Sequence, residues 1–149
     1  MLRVTKLTDY ATVVLSALAD SPDRVHNATE LAERAHLELP TVSKLLKTLT
    51  QAGLVQSFRG STGGYRLAKP AEQISLIQIV EAIEGPLGMT ECSLHESNCG
   101  IESSCGVRAN WRRINDVVAD ALREVSLADM LSSAPIKSRR SIPATLATA

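Results

Sequence analysis

Cys92, Cys99 and Cys105 are the residues of this sequence best suited to chemistry, because all three thiols of the chain fall within one stretch of 14 residues. Intervals of six and five residues separate them. That is wider than the CxxC pairs of most zinc ribbons, yet short enough for one loop to bring three thiolates to a single iron-sulfur cluster, with a fourth ligand from elsewhere. The odd number and tight grouping fit a metal or redox site better than a disulfide framework. His95 lies between the first two cysteines, so the spacing leaves open a cluster, a zinc ion held with His95, or a thiol-disulfide pair. A nucleophilic cysteine with His95 as base is a further class, but no orienting group, oxyanion loop or phosphate-cradling glycine motif accompanies the pair, and no enzyme is expected.

The segment before this loop carries the opposite charge. From Glu38 to Lys69 there are five bases (Lys44, Lys47, Arg59, Arg66, Lys69) and one acid, whereas Pro70 to Cys105 holds six acids and no Lys or Arg. The formal net charge of the whole chain is zero, so the segregation, not the total, points to a segment that faces phosphate.

Periodicity shows how that segment is built. In "LPTVSKLLKTLTQAGL", Val42, Leu45, Leu46 and Leu49 recur at i, i+3, i+4 and i+7, which predicts a helix with Pro40 as its first residue and Gly53 at its end. Thr41, Ser43, Lys44, Lys47 and Thr48 are left toward solvent. A short helix, "ATELAERAH", precedes it and can be capped by Asn27 or Thr29. Two β-capable runs follow, Leu54 to Arg59 and Tyr65 to Ala68, joined by "GSTGG". Helix, turn, polar-faced helix and glycine-tipped hairpin describe a winged helix-turn-helix for double-stranded DNA. Thr41, Ser43 and Lys44 are placed for base readout, Lys47 for phosphate, and Arg59, Ser61 and Arg66 of the wing for phosphate or the minor groove. A solvated polar face explains the helix alone equally well; the acid-free basic hairpin decides for DNA. Tyr65 has two roles open, DNA contact or core anchor of the wing.

The remaining elements frame these two sites. A first helix over about Leu7 to Asp20 is apolar nearly all round and calls for several neighbours, a second subunit among them. Ser75 and Gln78 form a capping box for "SLIQIVEAIEG", which Gly85 and Pro86 stop. A last long helix carries Val107, Trp111, Ile114, Val117, Val118, Ala121, Leu122 and Val125 as one stripe, expected to pair with another copy. The expected fold is mainly α: a winged helix-turn-helix domain over 1–85, a cluster-binding loop over 86–106, a dimerisation helix over 107–131, and a disordered tail over 132–149. With 44% hydrophobic residues but 3% aromatics, the core must be aliphatic. No apolar run is long enough for a membrane span, and the N-terminus lacks a secretory pattern, so a cytoplasmic protein without membrane or small-molecule partners is expected.

Together these residues resemble the IscR/NsrR-type family of bacterial cluster-bearing repressors. The motifs are "TKLTDYAT", "LAERAHLELPTVSKLLKTLTQAGLV", "RGSTGGYRLAKP", "ISLIQIVEAIEG", the three cysteines and "WRRINDVV". Within it the chain is most similar to regulators of the SUF iron-sulfur assembly operon. The resemblance implies a homodimer with crossed C-terminal helices, a 2Fe-2S or 4Fe-4S cluster on three cysteines and one other ligand per subunit, and operator affinity set by the cluster. Where IscR-like members place a histidine three residues after the last cysteine, this chain has Arg108, which has no lone pair to donate. Asp9 matches the position from which NsrR-like members supply a carboxylate across the dimer and is the first candidate for the fourth ligand. His95 is the second, followed by Glu96 and Glu102. An acid at Asp9 also suits the first turn of a helix on dipole grounds alone.

Overall fold

The computed structural model describes residues 3–94 and 99–136. Among the described residues six α-helices and one hairpin follow in the order α1 (Lys6–Ala19), α2 (Ala28–Ala35), α3 (Leu39–Gln51), β1 (Val55–Phe58), β2 (Gly64–Leu67), α4 (Leu76–Glu84), α5 (Arg108–Glu124) and α6 (Leu127–Leu131). The mainly helical fold with a small two-stranded wing is the one expected. Among the described residues no helix is long and apolar enough to cross a membrane.

Local chemistry sets most boundaries. Asn27 caps α2 by accepting the Glu30 N–H at 2.8 Å. α3 starts one residue earlier than its proline implies, so Pro40 is its second residue, still within the first turn where a missing N–H costs nothing. It ends in a Schellman motif: Gly53 takes φ +74°, its N–H donates to the Thr50 carbonyl, and the Leu54 N–H donates to the Leu49 carbonyl, both at 3.0 Å. The capping box of Ser75 and Gln78 opens α4, and Gly85, at φ +89°, closes it.

The core is aliphatic and centred on α1, which packs against α2, α3, α4, α6 and β2. Leu15, Leu18, Leu31, Leu46, Leu49, Leu54, Ile74, Ile79 and Leu127 are fully enclosed or nearly so. Cores of this kind gain about 25 cal/mol per Å² of apolar surface removed from water.

The C-terminal region departs from the single helix expected over 107–131. α5 stops at Glu124, Val125 is extended, and Ser126 caps a separate α6 with Asp129 as the reciprocal member of its box. The cause is tertiary. The Leu76 N–H donates to the Val125 carbonyl at 2.8 Å and the Leu127 N–H donates to the Ile74 carbonyl at 2.7 Å, an antiparallel bridge that turns the chain and drives Leu127 into the core. Of the tail expected over 132–149, residues 137–149 lie outside the described residues.

Glu84, the last residue of α4, ties that helix to the start of α1. Its Oε1 accepts the Thr8 hydroxyl at 2.6 Å and the Thr5 N–H at 2.8 Å, and these bonds, Thr8 first, hold its carboxyl below the ordinary value. A lowered folded-state pKa means stability that is present above the ordinary glutamate value and lost as pH falls through the lowered one. Glu84→Gln is therefore expected to remove a modest part of the acid limb of a thermal-stability profile run from neutrality to about pH 3. An unaltered acid limb would show that the tie contributes nothing.

Candidate nucleic-acid interface and cysteine loop

α3 buries Val42, Leu45, Leu46 and Leu49, so its register turns Ser43, Lys44 and Lys47 outward, with Thr41 and Thr48 half-buried at the margin. Leu39 and Pro40 are exposed at its first turn. Leu39, which precedes the helix start expected at Pro40, thus adds an apolar group beside the polar ones.

The wing pairs Val55 with Leu67, Gln56 with Arg66, Ser57 with Tyr65 and Phe58 with Gly64. Arg59 and Ser61 are exposed at its tip. Arg66 is half-buried: its guanidinium lies 5.1 Å from the centre of the Phe58 ring and donates to Gln56 Oε1 at 3.4 Å. Such a cation-π contact stiffens the hairpin and presents the charge at its edge. Tyr65 is half-buried against the core and exchanges backbone hydrogen bonds with His26, which favours the anchor among its two roles. A Cβ on Gly64 would run into the His26 carbonyl oxygen, so the glycine is required by close approach of two backbones.

The cysteine loop is fastened to α5. Cys92 is buried in a 3-10 turn, Glu91–Ser93, with the Thr90 hydroxyl 3.2 Å from its sulfur. Arg112 Nε donates to the Cys92 carbonyl at 3.2 Å, and Asn115 Oδ1 accepts the Met89 N–H at 3.1 Å. Asn115 is buried, and lies three residues beyond Arg112 on the same helix face. Cys105 is half-buried just after the turn Glu102–Ser104 and leads into α5, and Cys99 is half-buried as well. Neither Arg112 nor Asn115 was singled out in the sequence, where "WRRINDVV" is an ordinary amphipathic pattern.

Among the described residues no three His, Cys, Asp or Glu side chains lie close enough to share a metal ion. Asp9 is exposed in the first turn of α1 and lines a cavity of about 600 Å³ with Thr8, Thr12, Glu84, Met89 and Val118. His95 and Glu96 lie outside the described residues; Glu102 belongs to the turn before Cys105. The donor set, three soft thiols on one loop, fits an iron-sulfur cluster in its chemistry.

The outer face of α5 is apolar and open. Val107, Trp111, Ile114 and Val117 are exposed by 55%, 38%, 44% and 51%, while the adjoining flank buries Asn115 and Ala119.

A polar-faced α3 following a tight turn from α2, with a glycine-tipped hairpin at its side, defines a winged helix-turn-helix protein. Residues 4–133 match the Rrf2 family, described as an iron-dependent transcriptional regulator, and the chain belongs to that family. It is 32% identical over 135 residues to the protein aau3 of Rhizobium meliloti strain 1021, covering 90% of this chain and 88% of that one. It is 29% identical over 133 residues to the transcriptional regulator IscR of Pectobacterium atrosepticum, covering 89% and 80%. Among solved structures, CymR, the global cysteine regulator of B. subtilis, superposes with a TM-score of 0.68 at 26% identity, covering 91% of this chain and all of CymR. The family and its structural neighbours are transcription regulators, not enzymes.

The Gly64 contact makes a direct prediction. Gly64→Ala is expected to destabilise the fold by about 1–3 kcal/mol, because backbone must move at the wing's base. An unchanged melting temperature would contradict it.

Proposed function

We propose that this protein is a homodimeric DNA-binding repressor whose operator affinity is governed by an iron-sulfur cluster on Cys92, Cys99 and Cys105, acting on iron-sulfur assembly genes of the SUF type. The observation that carries the reading is the double fastening of the cysteine loop to α5 by Arg112 and Asn115, on a helix whose other face is apolar and open. A second copy of α5 is the natural cover for that face. The posture of the loop and the geometry of the dimer are then linked through one rigid element.

Each half of the dimer would present α3 to a major groove, with Thr41, Ser43 and Lys44 at base edges and Lys47, Arg59, Ser61 and Arg66 on phosphate or the minor groove. Residues 86–106 act by setting the angle of α5, and hence how closely the two α3 helices match the spacing of about 34 Å between successive major grooves. Asp9, exposed in the first turn of α1, is proposed as the fourth ligand from the second subunit, with His95 as the alternative. A cluster held by three thiolates and one exchangeable ligand supplies an iron open to loss or attack, which suits a sensor.

A second reading, a thiol-redox or zinc-dependent regulator, is favoured by the likeness to CymR, a global cysteine regulator. Protein isolated without oxygen separates the two. Visible absorbance with iron and sulfide is expected for the wild type, and Asp9→Ala is expected to lose cluster or shift its spectrum; a colourless protein holding zinc, or neither metal, would overturn the cluster reading.

The interface is tested separately. Lys47→Ala is expected to weaken binding to all duplexes and to flatten the dependence of log Kd on log salt by about one unit, whereas Ser43→Ala should change sequence preference. If Lys47→Ala leaves the salt slope intact, the phosphate role fails.

A further inference from the structure

Among the described residues, the groups assigned to DNA leave a fully buried ionisable side chain unused. His26, in the segment leading into α2, has no exposed surface. Its Nδ1 stands 3.0 Å from Glu30 Oε1 and its Nε2 3.4 Å from the Ser21 carbonyl oxygen. Both neighbours are acceptors, so the ring is a donor, and Nδ1, which faces the carboxylate, is the nitrogen that carries the proton. Glu30 is fixed in turn: its N–H donates to the Asn27 cap and Arg24 pairs with its carboxylate at 3.2 Å. The His26 hydrogen bond, ahead of the charge on Arg24, holds the Glu30 carboxyl below its ordinary value.

The backbone of the same residue grips the wing. The His26 N–H donates to the Tyr65 carbonyl at 2.9 Å, and the Tyr65 N–H donates to the His26 carbonyl at 2.8 Å. Gly64 closes against that carbonyl, leaving no slack along β2. Arg66 follows Tyr65, and its contact with Phe58 joins the two strands, so a displacement at Tyr65 carries Arg66 with it and Arg59 beyond Phe58.

We propose that His26 is a positioning residue for the wing: its ring ties the segment before α2 to Glu30, and its backbone passes that fixed position through Tyr65 to Arg66 and Arg59. The inference rests on the DNA-binding reading and is independent of the cysteines. His26 would touch no nucleic acid; it would act only through where the wing arginines stand.

The test uses the full chain and a duplex that the wild-type protein selects from a random-sequence pool, read as affinity across a salt series. His26→Leu keeps volume but removes the Nδ1 donor. It is expected to lower affinity roughly tenfold and to flatten the salt slope by about one unit, as loss of a phosphate contact does. In an Arg59→Ala/Arg66→Ala background the same change should have no further effect, which a general loss of stability would not reproduce. His26→Asn, which retains a donor at the place of Nδ1, should recover part of both affinity and slope. Folded His26→Leu protein with wild-type affinity and slope, or a loss that adds in full to the arginine variants, would overturn the proposal. Should His26→Leu not fold, Glu30→Gln is read by the same two criteria, with smaller effects of the same sign expected. Absence of duplex binding by the wild type would overturn both this role and the reading beneath it.

Discussion

Two side chains one turn apart on α5, Arg112 and Asn115, hold the backbone of the cysteine loop on either side of Thr90. This fastening is the constraint on which the functional architecture turns, because α5 is shared. One face takes the loop, and another, carrying Trp111, Ile114 and Val117, is left apolar and open. The Met89 N–H and the Cys92 carbonyl are the groups held, and satisfying them from a helix makes the loop's path part of the fold rather than a free excursion. The acidic stretch from Pro70 to Cys105, which has no base of its own, thus meets a helix that brings Arg112 to it.

The DNA-facing side is organised by backbone proximity instead. The turn between α2 and α3 is made by His36 in the left-handed region at φ +53°, and the end of α3 by Gly53. Leu54 then enters the core and sets the level from which β1 departs, while β2 returns to meet His26. The basic residues of α3 and the wing therefore sit on a frame fixed at both ends by main-chain hydrogen bonds, which preserves their relative placement while the polar side chains stay free to meet a partner.

Features with local causes were legible in the sequence. Asn27, the Ser75 and Gln78 box, Gly53 and Gly85 terminate helices by their own geometry, and the aliphatic stripe of α3 fixes which residues face outward. Features with distant causes were not. The stripe of α5 runs through Val125, so nothing local ends the helix there; Ser126 and Asp129 become a cap only because Leu76 and Ile74 pull the chain into a bridge. Tyr65 reads equally well as a wing contact or an anchor until His26 is seen beside it. The cysteines advertise their chemistry by spacing, yet the path of their loop is set by Arg112 and Asn115 of α5, which the interval between cysteines does not encode.

The most direct test of the account is a comparison of operator affinity, at one fixed salt concentration, between oxygen-protected protein with its full complement of iron and sulfide and the same preparation after chelation. Coupling through the loop and α5 predicts a difference of about tenfold or more between the two forms. Equal affinities would contradict it, and the cysteine loop would then have no hold on how α3 and the wing meet DNA.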